Sequence, residues 1–136
     1  GDSTFMMEMR EAAVIAKKAT ERSLVLVDEL GRGTATVDGL ALAWAVAEWL
    51  HDVIRCKSLF ATHFHELNAL TEERDGAFCL SVGVVESNGE IDFTHRIEEK
   101  PADRSYGLEV AALAGLPGAL LARAKEVFRE IALHQF

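Results

Sequence analysis

The stretch that decides the fold is Ser23-Leu24-Val25-Leu26-Val27, which leads directly into Asp28-Glu29. A continuous aliphatic run of this length is typical of a strand that is buried on both faces of a parallel sheet. Two carboxylates at its end would lie at the carboxyl edge of the sheet, where α/β proteins bind their ligands. The stretch therefore predicts an α/β fold with a functional site that begins at residue 28.

A second apolar strand, Ser58-Leu59-Phe60-Ala61-Thr62, ends in His63. Between the two strands, helical spacing of apolar residues indicates a helix that is capped by Asp38 and continues to about Ile54. The order strand, helix, strand predicts a right-handed βαβ unit with parallel strands. Because the carboxyl ends of parallel strands lie at one edge, we expect His63 close to the two carboxylates.

Outside this unit the sequence predicts further helices and a hairpin. Apolar residues at three- and four-residue steps indicate a helix over residues 3–19, capped by Ser3 or Thr4. An Asn-Gly pair at residues 88–89 is a strong hairpin signal. The remaining predicted elements are hairpin strands at 78–86 and 90–97, a loop at 100–104, a helix at 106–114, and a helix from residue 118 to about residue 133.

Composition restricts the class of protein. The 136 residues include 14 Lys and Arg against 22 Asp and Glu, a formal net charge of −8, and 49% are hydrophobic. These values exclude a disordered chain, a fibrous repeat and a small disulfide scaffold. No run approaches the ~20 apolar residues of a membrane-spanning helix. Cys56 and Cys79 form no CxxC pair, which favours a reducing compartment with buried thiols. We therefore expect a cytoplasmic protein, in the bacterial cytosol or, in a eukaryote, in the nucleus.

The charge balance and the first residue add two expectations. An acidic chain is a poor match for a large nucleic-acid footprint, because phosphates are bound by clusters of Lys and Arg. Any DNA contact is therefore expected outside this segment. The sequence has no initiator Met and opens on Gly1 in what looks like the middle of a motif, which predicts a fragment of a longer protein.

Asp28 and Glu29 fit the end of a central strand in a nucleotide hydrolase of the P-loop superfamily. In such enzymes the aspartate helps to hold Mg²⁺, and the adjacent glutamate polarises the attacking water. Two adjacent carboxylates repel each other unless a cation compensates, so the pair anticipates a metal ion. An apolar strand followed by an acid also describes many helix caps and loop starts, and this simpler interpretation stays open for the pair alone.

The next loop and the second strand supply further candidates. Gly31 and Gly33 allow backbone conformations that other residues resist, and the hydroxyls of Thr34 and Thr36 suit a phosphate or a partner surface. His63 is placed to hydrogen-bond a terminal phosphate. Taken singly, the glycines also fit an ordinary turn, and the histidine fits a satisfied side chain at a strand end.

Long motifs occur in a fixed order along the chain: GDSTFMMEM at residues 1–9, LVLVDELGRGTATVDG at 24–39 and LFATHFHEL at 59–67. Together they resemble the C-terminal ATPase domain of the MutS family of DNA mismatch-repair proteins. SYGL at 105–108 and LAGLP at 113–117 resemble the C-terminal dimerisation segment of that family. The similarity covers essentially the whole chain, and the number and order of the motifs make it specific.

The resemblance implies a partial ABC-type P-loop NTPase sheet with βαβ units, a β-hairpin and C-terminal helices. Residues 1–97 would belong to the ATPase domain and residues 98–136 to the dimerisation segment. The implied cofactors are ATP and Mg²⁺. Asp28 corresponds to the Walker B aspartate that helps to hold the metal, Glu29 to the catalytic carboxylate that orients the hydrolytic water, and His63 to the switch histidine that senses the γ-phosphate.

The resemblance also places a nucleotide contact between subunits. Ser3 and Thr4 lie in the signature segment, which reaches the nucleotide bound by the other subunit. Residues 31–36 correspond to the D-loop-like stretch at the same dimer contact, and the candidate ligands there are Gly31, Gly33, Thr34 and Thr36. A helix that opens near Ser3 suits this role, because its N-terminal amides and dipole attract an anionic phosphate.

The implied partners are mismatched double-stranded DNA, bound through domains absent from this chain, a second MutS-like subunit in a homodimer or heterodimer, and a MutL-type protein. No membrane is implied. Ala35 departs from the family pattern, because many relatives carry Ser there. The larger departure is that no G-x-x-x-x-G-K-[ST] occurs in the sequence, so the phosphate-cradling loop is missing. We therefore expect that the chain does not bind ATP tightly by itself.

Two other interpretations also fit the sequence. Without a phosphate loop, the chain is also consistent with a catalytically inert interaction module that joins partners through the hairpin and the terminal helices. It is also consistent with an ABC-type ATPase of another branch, such as a transporter subunit, a chromosome-maintenance protein or a recombination-associated relative. The transporter branch expects a signature similar to LSGGQ, whereas GDSTF stands at residues 1–5.

Overall fold

The computed structural model describes residues 3–102 and 106–134, and it confirms an α/β fold. The chain forms two compact units, Gly1–Cys79 and Leu80–Phe136. The first contains helix α1 (Thr4–Lys18), strand β1 (Leu24–Asp28), helix α2 (Thr36–Glu48), a π-helical segment (Trp49–Ile54), strand β2 (Lys57–Ala61), a 3₁₀ turn (His65–Leu67) and helix α3 (Asn68–Glu73). The second contains strands β3 (Ser81–Ser87) and β4 (Glu90–Glu98) and helices α4 (Gly107–Leu113) and α5 (Gly118–Leu133).

The predicted strand–helix–strand unit is present. Strands β1 and β2 pair in parallel, and their register joins Leu24 to Lys57 at one end and Asp28 to Ala61 at the other. The connection between them is long enough for a crossover helix, which parallel neighbours require. Each strand lies within one residue of its predicted limits, because the aliphatic runs define them well.

The prediction that β1 is buried on both faces is wrong for this chain. Val25 is buried and Val27 is half-buried, whereas Leu24 and Leu26 are 67% and 66% exposed. Leu59 of β2, which pairs with Leu26 in the register, is also 61% exposed. Helices therefore cover one face of this two-stranded sheet, and in the described residues the other face is apolar and open to solvent. Parallel sheets are normally covered on both faces, so this face is suited to burial.

The start and end of α2 differ from the prediction. The helix begins at Thr36 with Ala35 as its N-cap, and Asp38 lies in the first turn instead of serving as the cap. A carboxylate there is still favourable, because it faces the positive end of the helix dipole. The helix continues to Ile54 as expected, but its last six residues are π-helical, and Arg55 ends it in the left-handed region with φ 62°.

Two small apolar clusters form the core of the first unit. One joins α2 to the segment after β2, and the other joins β1 to the end of the π-helical segment. Their buried members are Ala43, Phe64, Leu67 and Leu70 in the first cluster, and Val25, Leu50 and Ile54 in the second. The 3₁₀ turn and α3 contribute Leu67 and Leu70, and the sequence reading did not predict either element.

The hairpin of the second unit turns at the Asn-Gly pair, as predicted. Ser87 pairs with Glu90, and the two residues between them, Asn88 and Gly89, have φ of 53° and 78°. Positive φ at both central positions is the requirement of a type I′ turn. Strand β3 begins at Ser81 instead of residue 78. The register shifts near Gly83, where an added Cβ would lie 2.5 Å from Thr94 Oγ1.

Helices α4 and α5 confirm the predicted pair of C-terminal helices, with limits shifted by about one residue. Part of the predicted loop at 100–104 and the first residue of the SYGL motif lie outside the described residues, as do the first two residues of the GDST motif. In the described ranges, no helix combines the length and apolar character needed to cross a bilayer.

Candidate functional site

The two predicted strand ends meet at one edge of the sheet. Asp28 is paired with Ala61 in the β1–β2 register, and the Glu29 N–H donates a further hydrogen bond of 2.7 Å to the Ala61 carbonyl. Residues 28–29 and 62–63 therefore leave the sheet side by side. This arrangement follows from the parallel pairing, and it leaves His63 two residues beyond the strand end that Glu29 contacts.

Glu29 has an unusual backbone conformation. Its φ is 55°, in the left-handed region that residues with a Cβ seldom adopt. Its carboxylate forms an ion pair with Arg32, three residues later in the loop. The sharp change of direction after β1 brings the Glu29 side chain towards this loop, and the guanidinium stabilises the carboxylate there.

The glycine loop is fixed by a very close backbone approach. Gly31 has φ 97°, and a Cβ built on it would lie 2.5 Å from the carbonyl oxygen of Gly39 in the first turn of α2. A Cβ on Gly39 would lie 2.1 Å from the Gly31 carbonyl oxygen. Both residues are buried, so each needs the other to be glycine. Of the two threonines predicted as ligands, Thr34 is half-buried in the loop and Thr36 is exposed at the start of α2.

The beginning of α1 lies against the same loop. A Cβ on Gly33 would be 3.2 Å from the Phe5 Cβ, and the Glu8 carboxylate accepts a hydrogen bond of 2.7 Å from the Gly31 N–H. Ser3 is the N-cap, as predicted, and its Oγ accepts from the Met6 N–H at 3.1 Å. The Ser3 hydroxyl proton is not used in that bond, so Ser3 can still donate to an anion.

Glu8 contacts the glycine loop of the candidate site and was not predicted from the sequence. It lies one helical turn after Thr4, so the two side chains share a face of α1. Glu8 and Gly31 are 23 positions apart in the sequence, so no local pattern predicts their contact. The contact depends on how α1 packs beside the loop. In the sequence, only the four-residue spacing between Thr4 and Glu8 indicated that Glu8 lies on the same face of α1 as a predicted site residue.

His63 is exposed, and its ring stacks on the ring of Phe64 with centroids 4.7 Å apart and an interplanar angle of 28°. Phe64 is buried in the cluster that also contains Leu67 and Leu70. Its N–H donates a hydrogen bond of 3.0 Å to Thr62 Oγ1. The position of the imidazole therefore depends on the packing of the segment that follows it.

The donor groups fit a magnesium ion better than a transition metal. Within the described residues, no group of three or more His, Cys, Asp and Glu side chains is arranged to hold a metal. Mg²⁺ does not need such a cage, because it keeps several waters and commonly takes one or two carboxylates together with substrate phosphates. Asp28, an exposed carboxylate at the sheet edge, matches that type of ligand.

A cleft of about 640 Å³ between α1, β1 and α2 includes Thr4 and Asp28 in its wall. The rest of the described wall is mostly apolar, and its other charged groups are the carboxylates of Glu8 and Glu11. No Lys or Arg is among these lining residues, so the cleft repels a triphosphate. Within its described residues, this cleft does not have the basic lining of a phosphate pocket.

The structure groups the predicted residues into two neighbouring sets. Strand ends bring Asp28 and Glu29 beside the segment of His63, and helix packing brings the beginning of α1 beside the glycine loop. The first set is joined by the Glu29–Ala61 hydrogen bond, and the second by the Glu8–Gly31 hydrogen bond and the Phe5–Gly33 contact. Thr34 and Thr36 follow Gly33 in the loop and at the start of α2, and His63 follows the end of β2 by two residues.

Comparisons with known proteins agree with the motifs. The family model for MutS domain V matches residues 1–132. DNA mismatch repair protein MutS of Nitrobacter winogradskyi is 54% identical over 131 residues, which are 96% of this chain and 15% of that protein. The MutS of a Caulobacter species (strain K31) is 58% identical over 127 residues, 93% of the chain and 14% of the relative. The MutS of Pseudothermotoga lettingae is 52% identical over 132 residues, 97% of the chain and 16% of the relative.

The chain thus spans about one seventh of the length of the curated relatives that it matches. The match nevertheless includes every motif placed above, from the capped start of α1 to residue 132 in the last turn of α5. On the extent of the family match and on the identity shared with these relatives, the chain belongs to the MutS family.

Proposed function

We propose that this chain is the C-terminal part of the ATPase domain of a longer MutS-type mismatch-repair protein, called the full-length protein below. Its reaction is hydrolysis of the terminal phosphoanhydride bond of ATP by water. Binding and hydrolysis at two composite sites in a dimer couple recognition of mismatched DNA to a signalling state. DNA and a MutL-type partner are contacted by the full-length protein, and DNA chiefly through other domains, in keeping with the acidic charge here.

The observation that carries the proposal is the shared sheet edge. Three findings support it: Asp28 ends β1, the Glu29 N–H donates to the Ala61 carbonyl at the end of β2, and His63 follows that strand end by two residues. Metal-assisted phosphoryl transfer requires a metal ligand, a group that orients water and a group that contacts the phosphate. Asp28, Glu29 and His63 can supply those three functions in that order.

When bound, Mg²⁺ neutralises phosphate charge at this edge. Asp28 helps to hold the ion, and Glu29 directs the attacking water with its carboxylate. His63 donates a hydrogen bond to the terminal phosphate and changes its contact when that phosphate leaves. Each of these groups acts mainly by position, so the fixed backbone at residues 28–31 is part of the catalytic arrangement.

The second set of residues serves the partner subunit. Ser3 and Thr4 open α1, where free amides and the helix dipole attract phosphate oxygens. The loop of residues 31–36 lies directly against that helix start through Phe5 and Glu8. A phosphate bound there by the other subunit would be sensed by the same loop that follows Glu29. Hydrolysis would then depend on dimer formation.

Asp28→Asn tests the proposal in the full-length protein. Asparagine keeps the size of the side chain and removes the charge that attracts the metal, so we expect ATP turnover to fall by roughly 10²-fold. The Mg²⁺ concentration for half-maximal turnover should rise as well. Steady-state phosphate release over a magnesium titration measures both changes. Asp92→Asn, at an exposed position of β4, is the matched control. Equal turnover and magnesium dependence in Asp28→Asn and the control would exclude Asp28 as the metal ligand.

The second candidate function is a catalytically inert dimerisation module. It is favoured by α5, in which no residue is buried and one face presents an apolar groove together with Leu108 of α4. The groove is lined by Leu120, Ala124, Val127, Phe128 and Ile131, with Arg123 at its edge. A second MutS-like subunit with the same groove would cover this face symmetrically. A longer protein can have both this function and the ATPase function. For the isolated chain, the two functions lead to different predictions.

A nucleotide titration separates the two functions. We expect the isolated 136-residue chain to show no micromolar affinity for Mg²⁺–ATP, because it lacks a phosphate loop and its cleft is lined by carboxylates. The full-length protein should bind in the micromolar range. Isothermal titration calorimetry gives both values. Micromolar binding by the isolated chain would overturn the inert-module interpretation, and sedimentation of a strict monomer at high concentration would remove the association function as well.

A further inference from the structure

Four side chains join the end of α3 to the end of α2 and the π-helical segment. Arg74, directly after α3, is 18% exposed; its Nη2 donates to Glu48 Oε2 at 2.5 Å, and its Nε donates to Asp52 Oδ1 at 3.1 Å. The fourth member is His51. These four residues, called the Arg74 clamp below, lie outside the MutS-like motifs at residues 1–9, 24–39 and 59–67. A guanidinium shared by two carboxylates fixes orientation as well as charge.

His51 is held at both ring nitrogens. Nδ1 lies 2.6 Å from Asp52 Oδ1, and Nε2 lies 2.8 Å from the Asp75 carbonyl oxygen. A carbonyl accepts and never donates, and the Asp52 carboxylate is an acceptor when ionised. A neutral imidazole has one N–H and satisfies one of these contacts, whereas an imidazolium satisfies both. Both contacts of the His51 ring are therefore satisfied when the imidazole is protonated.

Electrostatics agree with this geometry. The hydrogen bond to the Asp75 carbonyl, and then the one to Asp52, raise the pKa of His51 above its ordinary value of 6.5. Arg74 is the opposing charge, and its hydrogen bond holds the pKa of Asp52 below its ordinary value. Glu48 and Glu73 are also charged and both pair with Arg74, and Asp75 carries a further carboxylate next to the carbonyl that His51 contacts.

The clamp acts on the segment that carries His63. Residues 62–73 run from the end of β2 through the 3₁₀ turn and α3 to Arg74. Within that segment Leu67 and Leu70 bury Phe64 against α2, and the His63 ring stacks on Phe64. The segment is thus anchored at its start by β2 and at its end by the clamp. Movement of α3 would change the packing of Phe64 and with it the position of the imidazole.

We infer that the Arg74 clamp is a positioning device for the His63 segment and that protonation of His51 tightens it. Its residues are positioning residues, because they act through Phe64 and do not touch the proposed substrate. The structural half of this inference is independent of the proposed function. The link to ATP turnover rests on the proposed function, because it requires His63 to contact the phosphate.

The direction of the pH effect follows from the raised pKa of His51. A group whose folded-state pKa lies above its unfolded value stabilises the folded state fully below the unfolded pKa of about 6.5. That contribution decreases as the pH rises through the folded-state pKa. The clamp should therefore be tightest near pH 6 and loosest above pH 8. Its groups are partly exposed, so high salt should weaken the effect.

Hydrogen exchange of the full-length protein at pH 6 and pH 8.5, corrected for intrinsic rates, tests the structural half. In wild type we expect amides of residues 64–71 to be roughly threefold to tenfold better protected at pH 6. His51→Gln should lose this pH response, and the control His134→Gln should keep it. Arg74→Met should lower protection at both pH values, and Arg74→Lys should fall between Met and wild type. Equal protection at both pH values, or an unchanged response in His51→Gln, would overturn the clamp.

Turnover in the same variants tests the link to function. In wild type we expect kcat to depend on pH between pH 6 and 8.5 in part because His51 loses its proton. His51→Gln should lose that part of the pH dependence, while KM for ATP stays within about twofold of wild type. If exchange responds to His51 and kcat does not, the role of His63 in the proposed function fails and the clamp stands. If exchange does not respond, the clamp fails and the assignments of Asp28 and Glu29 are unaffected.

Discussion

Glu29→Gln in the full-length protein is expected to lower ATP turnover by about 10²- to 10⁴-fold, the range typical of a positioned general base. Glutamine has nearly the same size as glutamate, and it can adopt the φ of 55° at the same cost. The change therefore removes the charge that orients water and leaves the Glu29 N–H to Ala61 hydrogen bond in place. Nucleotide binding should persist, because the phosphate and metal ligands are unchanged.

Single-turnover phosphate release and equilibrium nucleotide binding, measured on the same samples, separate chemistry from affinity. Glu21→Gln, an exposed residue in the turn before β1, is the control for a generic loss of one negative charge. The expected pattern is slow release with retained binding in Glu29→Gln and normal values in the control. Turnover at the wild-type rate would remove Glu29 from the catalytic role. Loss of binding together with turnover would indicate a structural function for the Glu29–Arg32 ion pair.

The sequence predicted the local elements well and their burial less well. Aliphatic runs and an Asn-Gly pair are local signals, and they located β1 and β2 within one residue, the hairpin turn at residues 88–89, and the start of β3 within three residues. The burial of Leu24 and Leu26 was predicted incorrectly, because burial depends on which segments pack on the sheet. An apolar run shows that a strand is suited to burial on both faces. It does not show that the chain at hand contains the covering segment.

The short elements after His63 were missed for a different reason. The 3₁₀ turn and α3 together cover nine residues, too few for helical periodicity to emerge from composition. They are stabilised by tertiary contacts, namely Leu67 and Leu70 against α2 and Arg74 with two carboxylates. Such contacts join residues more than 20 positions apart and leave no pattern in a single sequence.

The candidate site shows the same division. Residues at strand ends could be placed from sequence because parallel strands bring their carboxyl ends together. The pairing of α1 with the glycine loop, through Glu8 and Gly31, required the packing of a helix beside a loop and was not predicted. The roles of Asp28, Glu29 and His63 remain predictions that the variants above test.

The close approach of Gly31 and Gly39 leads to the largest expected effect on structure. Gly31→Ala would combine the left-handed φ of 97° with a Cβ placed 2.5 Å from the Gly39 oxygen. The left-handed conformation costs about 1–2 kcal/mol and overpacking adds about 1–3 kcal/mol, so we expect local destabilisation of roughly 2–5 kcal/mol. Gly39→Ala has no φ penalty, but its Cβ would lie 2.1 Å from the Gly31 oxygen, so it should cost about 1–3 kcal/mol or more.

Two other glycines separate these contributions. Gly76 has φ 82° with no atom within 4 Å of an added Cβ, so Gly76→Ala measures the conformational cost alone. Gly118 opens α5 with similar free space, so Gly118→Ala should be neutral or slightly stabilising. Hydrogen exchange of the amides around each substituted glycine in the full-length protein, residues 28–43 for Gly31 and Gly39, reports the local stability. If Gly31→Ala and Gly39→Ala behave like their controls, the two backbones are not in contact. If both destabilise the loop and lower turnover, the backbone after Glu29 must hold its position for the carboxylate to act.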